Sequence, residues 1–166
     1  MDSIDKRLKH LEDERAIQQV IHNYGFTTDH LYIESWLDNF TDDAVLIFKA
    51  TPDILSRLPF ISKLIEKPIT GREQLAEFVS NMAKTALPTS KHVTANTIIS
   101  IQGDEAAAHS NLVHFIDQKG IPELVSTGRY VDKFRRCADG RWRIGERIAH
   151  MDSMKEIGDP SDGAKD

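Results

Sequence analysis

The apolar residues of this chain change their spacing at Pro88, and that change constrains the fold more than any single motif does. Before it they recur at helical intervals. Ile17, Val20, Ile21 and Tyr24 fall at i, i+3, i+4 and i+7, as do Leu75, Phe78, Val79 and Met82, so each set predicts an amphipathic helix with one buried face. Beyond Pro88 the period becomes strand-like over four segments, near 92–101, 105–117, 123–136 and 141–151. They are parted by Gly103-Asp104, Lys119-Gly120 and Asp139-Gly140, pairs suited to tight turns between antiparallel strands. No helix-length crossover separates them, which excludes a doubly wound parallel sheet. The class is therefore α+β, a curved antiparallel sheet packed on N-terminal helices.

The rest of the chain fits around that frame. A second short helical pattern carries Leu31, Trp36, Leu37 and Phe40, and Thr41-Asp42-Asp43 reads as a turn into a strand over Val45-Leu46-Ile47-Phe48. In residues 50–70, Pro52, Pro59 and Pro68 interrupt a run of apolar residues, which predicts short helical turns. That much apolar surface is either a flap over a pocket mouth or a subunit contact. Residues 155–166 have no apolar period and are expected to be disordered, leaving 1–154 as a single domain.

Charge and cysteine usage remove several classes of function. A net charge of -5 gives little drive toward a phosphate backbone or an anionic membrane, so neither nucleic acid nor membrane is expected as a partner. Cys137 is the only cysteine, which forbids an internal disulfide or a thiolate metal cluster. There is no run of 18 apolar residues and no apolar leader pattern, so a cytoplasmic protein is expected. No two histidines have the helical spacing of a zinc site, and no glycine-rich phosphate loop or nucleophile elbow occurs. Neither a metal nor a cofactor is expected.

What chemistry there is must come from scattered polar residues. Period two places His92, Thr94 and Asn96 on one face of their strand and Val93, Ala95, Thr97 and Ile99 on the other. His92 is either a base in a pocket or a hydrogen-bonded core histidine. Asp29, just past the apolar stripe of the first helix, is either the carboxylate that orients such a base or a turn residue. Tyr24 and Tyr130 either serve only as core rings, each with a phenol that needs a partner, or offer that proton to a leaving oxygen, which makes Tyr24 a catalytic candidate. Arg143 and Arg147 fall opposite Trp142 and Ile144 unless a bulge intervenes. His109 and His114 point to opposite faces; one of them should reach the pocket, and His109, which shares a face with Asn111, is taken with Asn96, Tyr130, Phe48 and Trp36 as its lining.

Several short motifs then occur in order: Tyr24-x4-Asp29, Trp36-x3-Phe40-x-Asp42-Asp43-Ala44, Gly71-Arg72-Glu73, His92-x3-Asn96, Gly128-x-Tyr130-x-Asp132 and Asp139-Gly140-x-Trp142-x-Ile144. Over residues 10–150 the chain resembles the SnoaL-like branch of the nuclear transport factor 2-like superfamily. It is most similar in pattern to the lyases, such as scytalone dehydratase, hexachlorocyclohexane dehydrochlorinase and the bile-acid dehydratases. The resemblance implies a cone-shaped α+β barrel around one apolar pocket. It also implies an Asp29–His92 dyad that removes a proton from carbon, a pocket tyrosine at Tyr24 and an arginine at Arg147 that assists the departing group. The activity implied is a cofactor-independent lyase, dehydratase or isomerase acting on a hydrophobic small molecule such as a steroid, terpenoid or polyketide. Polyketide cyclisation or epoxide opening in the same pocket, and a non-catalytic binding or assembly module, are the alternatives. A homo-oligomer is also implied, a trimer before a dimer, with Val93, Ala95, Ile99 and Ile101 as one candidate interface.

Overall fold

Ser3 caps the first helix, α1 (Ile4–Asp29), accepting a hydrogen bond from the Lys6 backbone N–H at 3.4 Å, while Asp5 adds negative charge to a turn whose N–H groups lack partners. The structure, a computed structural model, describes residues 3–57, 67–84, 90–118 and 120–152. The first turns of α1 are exposed all round. From Asp13 onward one face is buried through Ile17, Ile21 and Tyr24, the stripe expected from the sequence. A short α2 (Ile33–Leu37) buries Trp36 and Leu37, and β1 (Phe40–Ala50) follows. Thr41-Asp42-Asp43, read as a turn, lies inside β1. The register shifts between Phe40 and Val45, and this irregularity lets Asp42 and Asp43 face solvent without ending the strand.

Next come α3 (Pro52–Arg57), a two-residue β2 (Ile69–Thr70) and α4 (Gly71–Lys84). The four long strands of the meander are β3 (Ser90–Gln102), β4 (Glu105–Gln118), β5 (Ile121–Arg136) and β6 (Trp142–Asp152). The middle of the expected flap over 50–70 and the tail 155–166 fall outside the described residues.

One sheet holds all six strands in the order β2-β1-β6-β5-β4-β3. It is mixed rather than wholly antiparallel, because β1 lies parallel to β6 with Leu46 beside Arg147 and Phe48 beside Ala149. The turn argument governs only neighbours in sequence. β1 and β6 are joined through the whole meander, so nothing local sets their relative direction. The sheet curves around α1, which packs on β3 and β6, and α4, which packs on β1; Trp36, Phe40, Leu46, Leu75, Ile144 and Phe134 fill the space between.

Two bulges redirect side chains. In β3 the register shifts between Ala95 and Ile98, where Asn96 adopts φ 52°, a left-handed conformation that asparagine tolerates better than most residues. His92 and Thr94 before it, and Thr97, Ile99 and Ile101 after it, therefore share the inner face. Val93, Ala95 and Ile98 point outward, so Val93, Ala95, Ile99 and Ile101 do not form one interface as alternation had indicated. In β6 the extra residue is Gly145, opposite the shift between Lys133 and Phe134.

Candidate active site

The last residue of α1 delivers the carboxylate. Asp29 Oδ1 lies 2.6 Å from His92 Nδ1, and the two Asp29 oxygens also accept the backbone N–H of His92 at 3.1 and 3.0 Å. One residue is thus held by main chain and ring together, which fixes the imidazole relative to the helix. Gly25, one turn earlier, permits this approach: a Cβ there would sit 3.3 Å from the His92 carbonyl oxygen. With the Nδ1 proton donated to Asp29, the network assigns His92 the tautomer whose Nε2 carries a free lone pair. Both side chains are largely buried, at 8% exposure for Asp29 and 15% for His92.

A second imidazole stands beside the first. His114, directly across from His92 in the sheet, stacks on it with ring centres 4.2 Å apart and planes 16° from parallel. Ser90 Oγ reaches both rings, 3.1 Å from His114 Nε2 and 3.4 Å from His92 Nδ1, and lies 3.5 Å from Asp29 Oδ1. Burial, then the neighbouring His92, push His114 down to about 3, with Asp29 opposing. His114 therefore stays neutral at physiological pH.

These groups open into a small pocket whose walls are Tyr24, Trp36, Phe48, Phe78, Leu112 and Tyr130, with Met82, Ile116, Ala149 and Met151. Trp36 is pinned there by its Nε1–H donating to Thr28 Oγ1 at 3.0 Å, and Thr28 in turn donates to the Tyr24 carbonyl at 2.6 Å. The free volume is about 60 Å³. A larger depression of about 530 Å³ lies on the solvent side of the sheet, but four of its five charged lining residues pair with one another, Lys133 with Glu146 and Arg135 with Asp43, and it holds no histidine. The smaller pocket has the chemistry. Among the described residues no group of histidine, cysteine, aspartate and glutamate side chains could hold a metal ion.

The structure brings together Asp29, His92, Tyr24, Tyr130, Trp36 and Phe48. Asn96 and His109 are not with them. Asn96 is exposed because the β3 bulge turns it out of the face of His92, and His109 is exposed because β4 runs regularly there and His109 shares the outer parity of Asn111. His114 takes the place expected of His109, and Ser90 is a site residue the sequence reading did not single out.

Arg147 is inside but not in the pocket wall. The Gly145 bulge places it on the same face as Ile144, where it is fully buried; Nε and Nη2 donate to the Asp132 carboxylate at 2.7 Å each. Its guanidinium lies 4.0 Å from the centre of the Tyr24 ring and 4.2 Å from that of Tyr130. Burial pushes the Tyr24 phenol up and Tyr130 well above its ordinary value, with the Arg147 charge opposing in both. Arg143 points the other way, to Asp38 at 3.1 Å and Asp139 at 2.9 Å. A glycine inside a strand was the available signal for this reversal.

A family model described as a SnoaL-like domain matches residues 9–148. Among solved structures, a protein from Novosphingobium aromaticivorans described as nuclear transport factor 2-like with a cystatin-like fold has 21% identity and a TM-score of 0.74, covering 99% of this chain and 97% of that one. A Mycobacterium tuberculosis protein of unknown function has 24% identity and a TM-score of 0.72, covering 97% and 81%. A Novosphingobium aromaticivorans protein provisionally named a scytalone dehydratase has 19% identity and a TM-score of 0.66, covering 86% and 85%. These likenesses show the fold, which is the nuclear transport factor 2-like one expected from the sequence. No curated protein matches the chain. No helix among the described residues is long and apolar enough to cross a membrane.

Proposed function

The chain belongs to the SnoaL-like domain family, and from that membership we propose that it is a cofactor-independent lyase of the dehydratase type, with His92 as the base. The observation that carries the reading is the 2.6 Å contact between Asp29 and His92 Nδ1, which leaves Nε2 free beside an apolar cavity. Nε2 takes a proton from carbon, and the C–H electron pair becomes the new C=C bond as the C–O bond on the neighbouring carbon breaks. The imidazolium, stabilised by Asp29, returns its proton to the departing hydroxide, which leaves as water. An apolar wall raises the effect of each of these charges.

The substrate of this reading is an uncharged hydrophobic molecule with an acidic C–H, of steroid, terpenoid or polyketide type. A ligand of that size needs about 300 Å³ or more, several times the free volume of about 60 Å³, so the pocket has to widen to admit it. Incubation with β-hydroxy ketones on such frameworks is expected to produce conjugated enones, followed by their absorbance, and to exchange the α-proton in deuterium oxide. His92→Ala should lower both rates by about 10²- to 10⁴-fold, with ligand affinity retained. Equal turnover in His92→Ala would end the lyase reading and leave a binding module in its place.

A further inference from the structure

Asp132 and Arg147 face each other across β5 and β6 and have no exposed side-chain surface. Replacing a buried ion pair by apolar side chains of similar volume is often neutral or stabilising, so packing alone does not call for charge at this place. The guanidinium sits in the corner formed by two pocket rings, Tyr24 and Tyr130, whose centres are 5.7 Å apart at 79°. Asp132 occupies Nε and Nη2, while the buried Nη1 has no hydrogen-bond partner among the described residues. The groups within reach of this charge that also line the pocket are the two tyrosines.

We propose that Arg147, clamped by Asp132, is a positioning residue that sets the orientation and donor strength of Tyr24 and Tyr130, so that the phenols and not the guanidinium meet the ligand oxygen on which negative charge develops. Burial makes a phenol a reluctant proton donor to an anion; a fixed cation against its ring reverses part of that effect. Asp132 keeps the cation in place and tempers it. The identity of the ligand oxygen rests on the lyase reading, whereas the coupling between the guanidinium and the phenols does not.

The test uses the whole protein with its three tyrosines replaced by 3-fluorotyrosine, each titrated by fluorine NMR. Tyr32, 53% exposed, serves as the internal reference. The paired change Asp132→Leu/Arg147→Met removes both charges at similar volume and is expected to raise the titration midpoints at positions 24 and 130 by about one pH unit or more, leaving position 32 unmoved. Asp132→Asn alone leaves the cation uncompensated and should lower the same two midpoints. Should one variant fail to fold, the other decides by its direction. Midpoints at 24 and 130 that stay still in the folded variant, or move no more than that of Tyr32, overturn the proposal. In turnover, the losses from Tyr24→Phe and from the paired change should be non-additive; additive losses would mean that the guanidinium acts on the ligand itself, which also overturns it. A lyase reading lost through an inert His92→Ala would leave the fluorine titrations unaffected, so the two ideas fail separately.

Discussion

Burial and the neighbouring His92 hold His114 at about 3, against 6.5 for an unburied histidine. The unfolded chain therefore binds a proton at this residue between those values while the folded chain does not. Stability contributed by the neutral ring is fully present above about pH 6.5 and is lost as the pH falls toward 3, with a slope of up to about 1.4 kcal/mol per pH unit. His150, also lowered by burial, acts in the same direction. Asp13, held low mainly by its hydrogen bond from Arg136, acts only near and below its ordinary value of 3.8. Denaturant titrations at pH 7, 6 and 5 should show stability falling with pH, and His114→Gln should flatten much of that slope. At this scale the residues alone left Asp29 and His92 with two readings each, and it was the motif resemblance that paired them before any coordinates. The choice of His109 over His114 as pocket lining failed, because parity says that two residues face opposite ways without saying which way is in.

Helix α1 and strand β3 touch where Gly25 meets the His92 carbonyl, and their separation sets the dyad. Gly25→Ala would place a Cβ 3.3 Å from that oxygen, so β3 or α1 must give by a few tenths of an ångström. Alanine also favours the helix by about 1 kcal/mol. Under the proposed lyase function the expected result is a melting temperature near that of the parent with a clearly lower turnover, read by calorimetry and enone formation. At the β3 bulge, Asn96→Gly should be neutral or stabilising and Asn96→Ala should cost about 1 kcal/mol, because φ is 52°. Gly128→Ala is expected to be far worse, over about 4 kcal/mol, since its Cβ would lie 1.9 Å from the His150 carbonyl oxygen. The limits of the four meander strands were legible to within a few residues because glycine-bearing turns part them. The bulges at Asn96 and Gly145 were not, and every site residue misplaced by alternation lies beyond one of them or depends on knowing which face is inner.

Across the whole molecule α1 is fastened at two points. Near its start Asp13 accepts from Arg136 Nη2 at 2.6 Å and from Trp142 Nε1 at 3.2 Å, with the Arg136 guanidinium 4.4 Å over the Trp142 ring. Its far end carries Asp29, about 24 Å away along the helix axis at 1.5 Å per residue. Asp13→Ala should lower global stability by about 2 kcal/mol through loss of charged hydrogen bonds, and leave the exchange of α-protons at the pocket intact below the melting point. The α+β class was legible from the change of period at Pro88; the parallel contact of β1 with β6 was not, because it joins segments that share no turn. That contact also has a consequence for synthesis. The four meander strands can pair as each leaves the ribosome, but Leu46 and Phe48 have no neighbour on that side until the final strand emerges. A nascent chain must therefore carry the apolar edge of β1 unpaired while residues 51–141 are made, which makes this edge a segment on which a chaperone, or an aggregating neighbour, would act early.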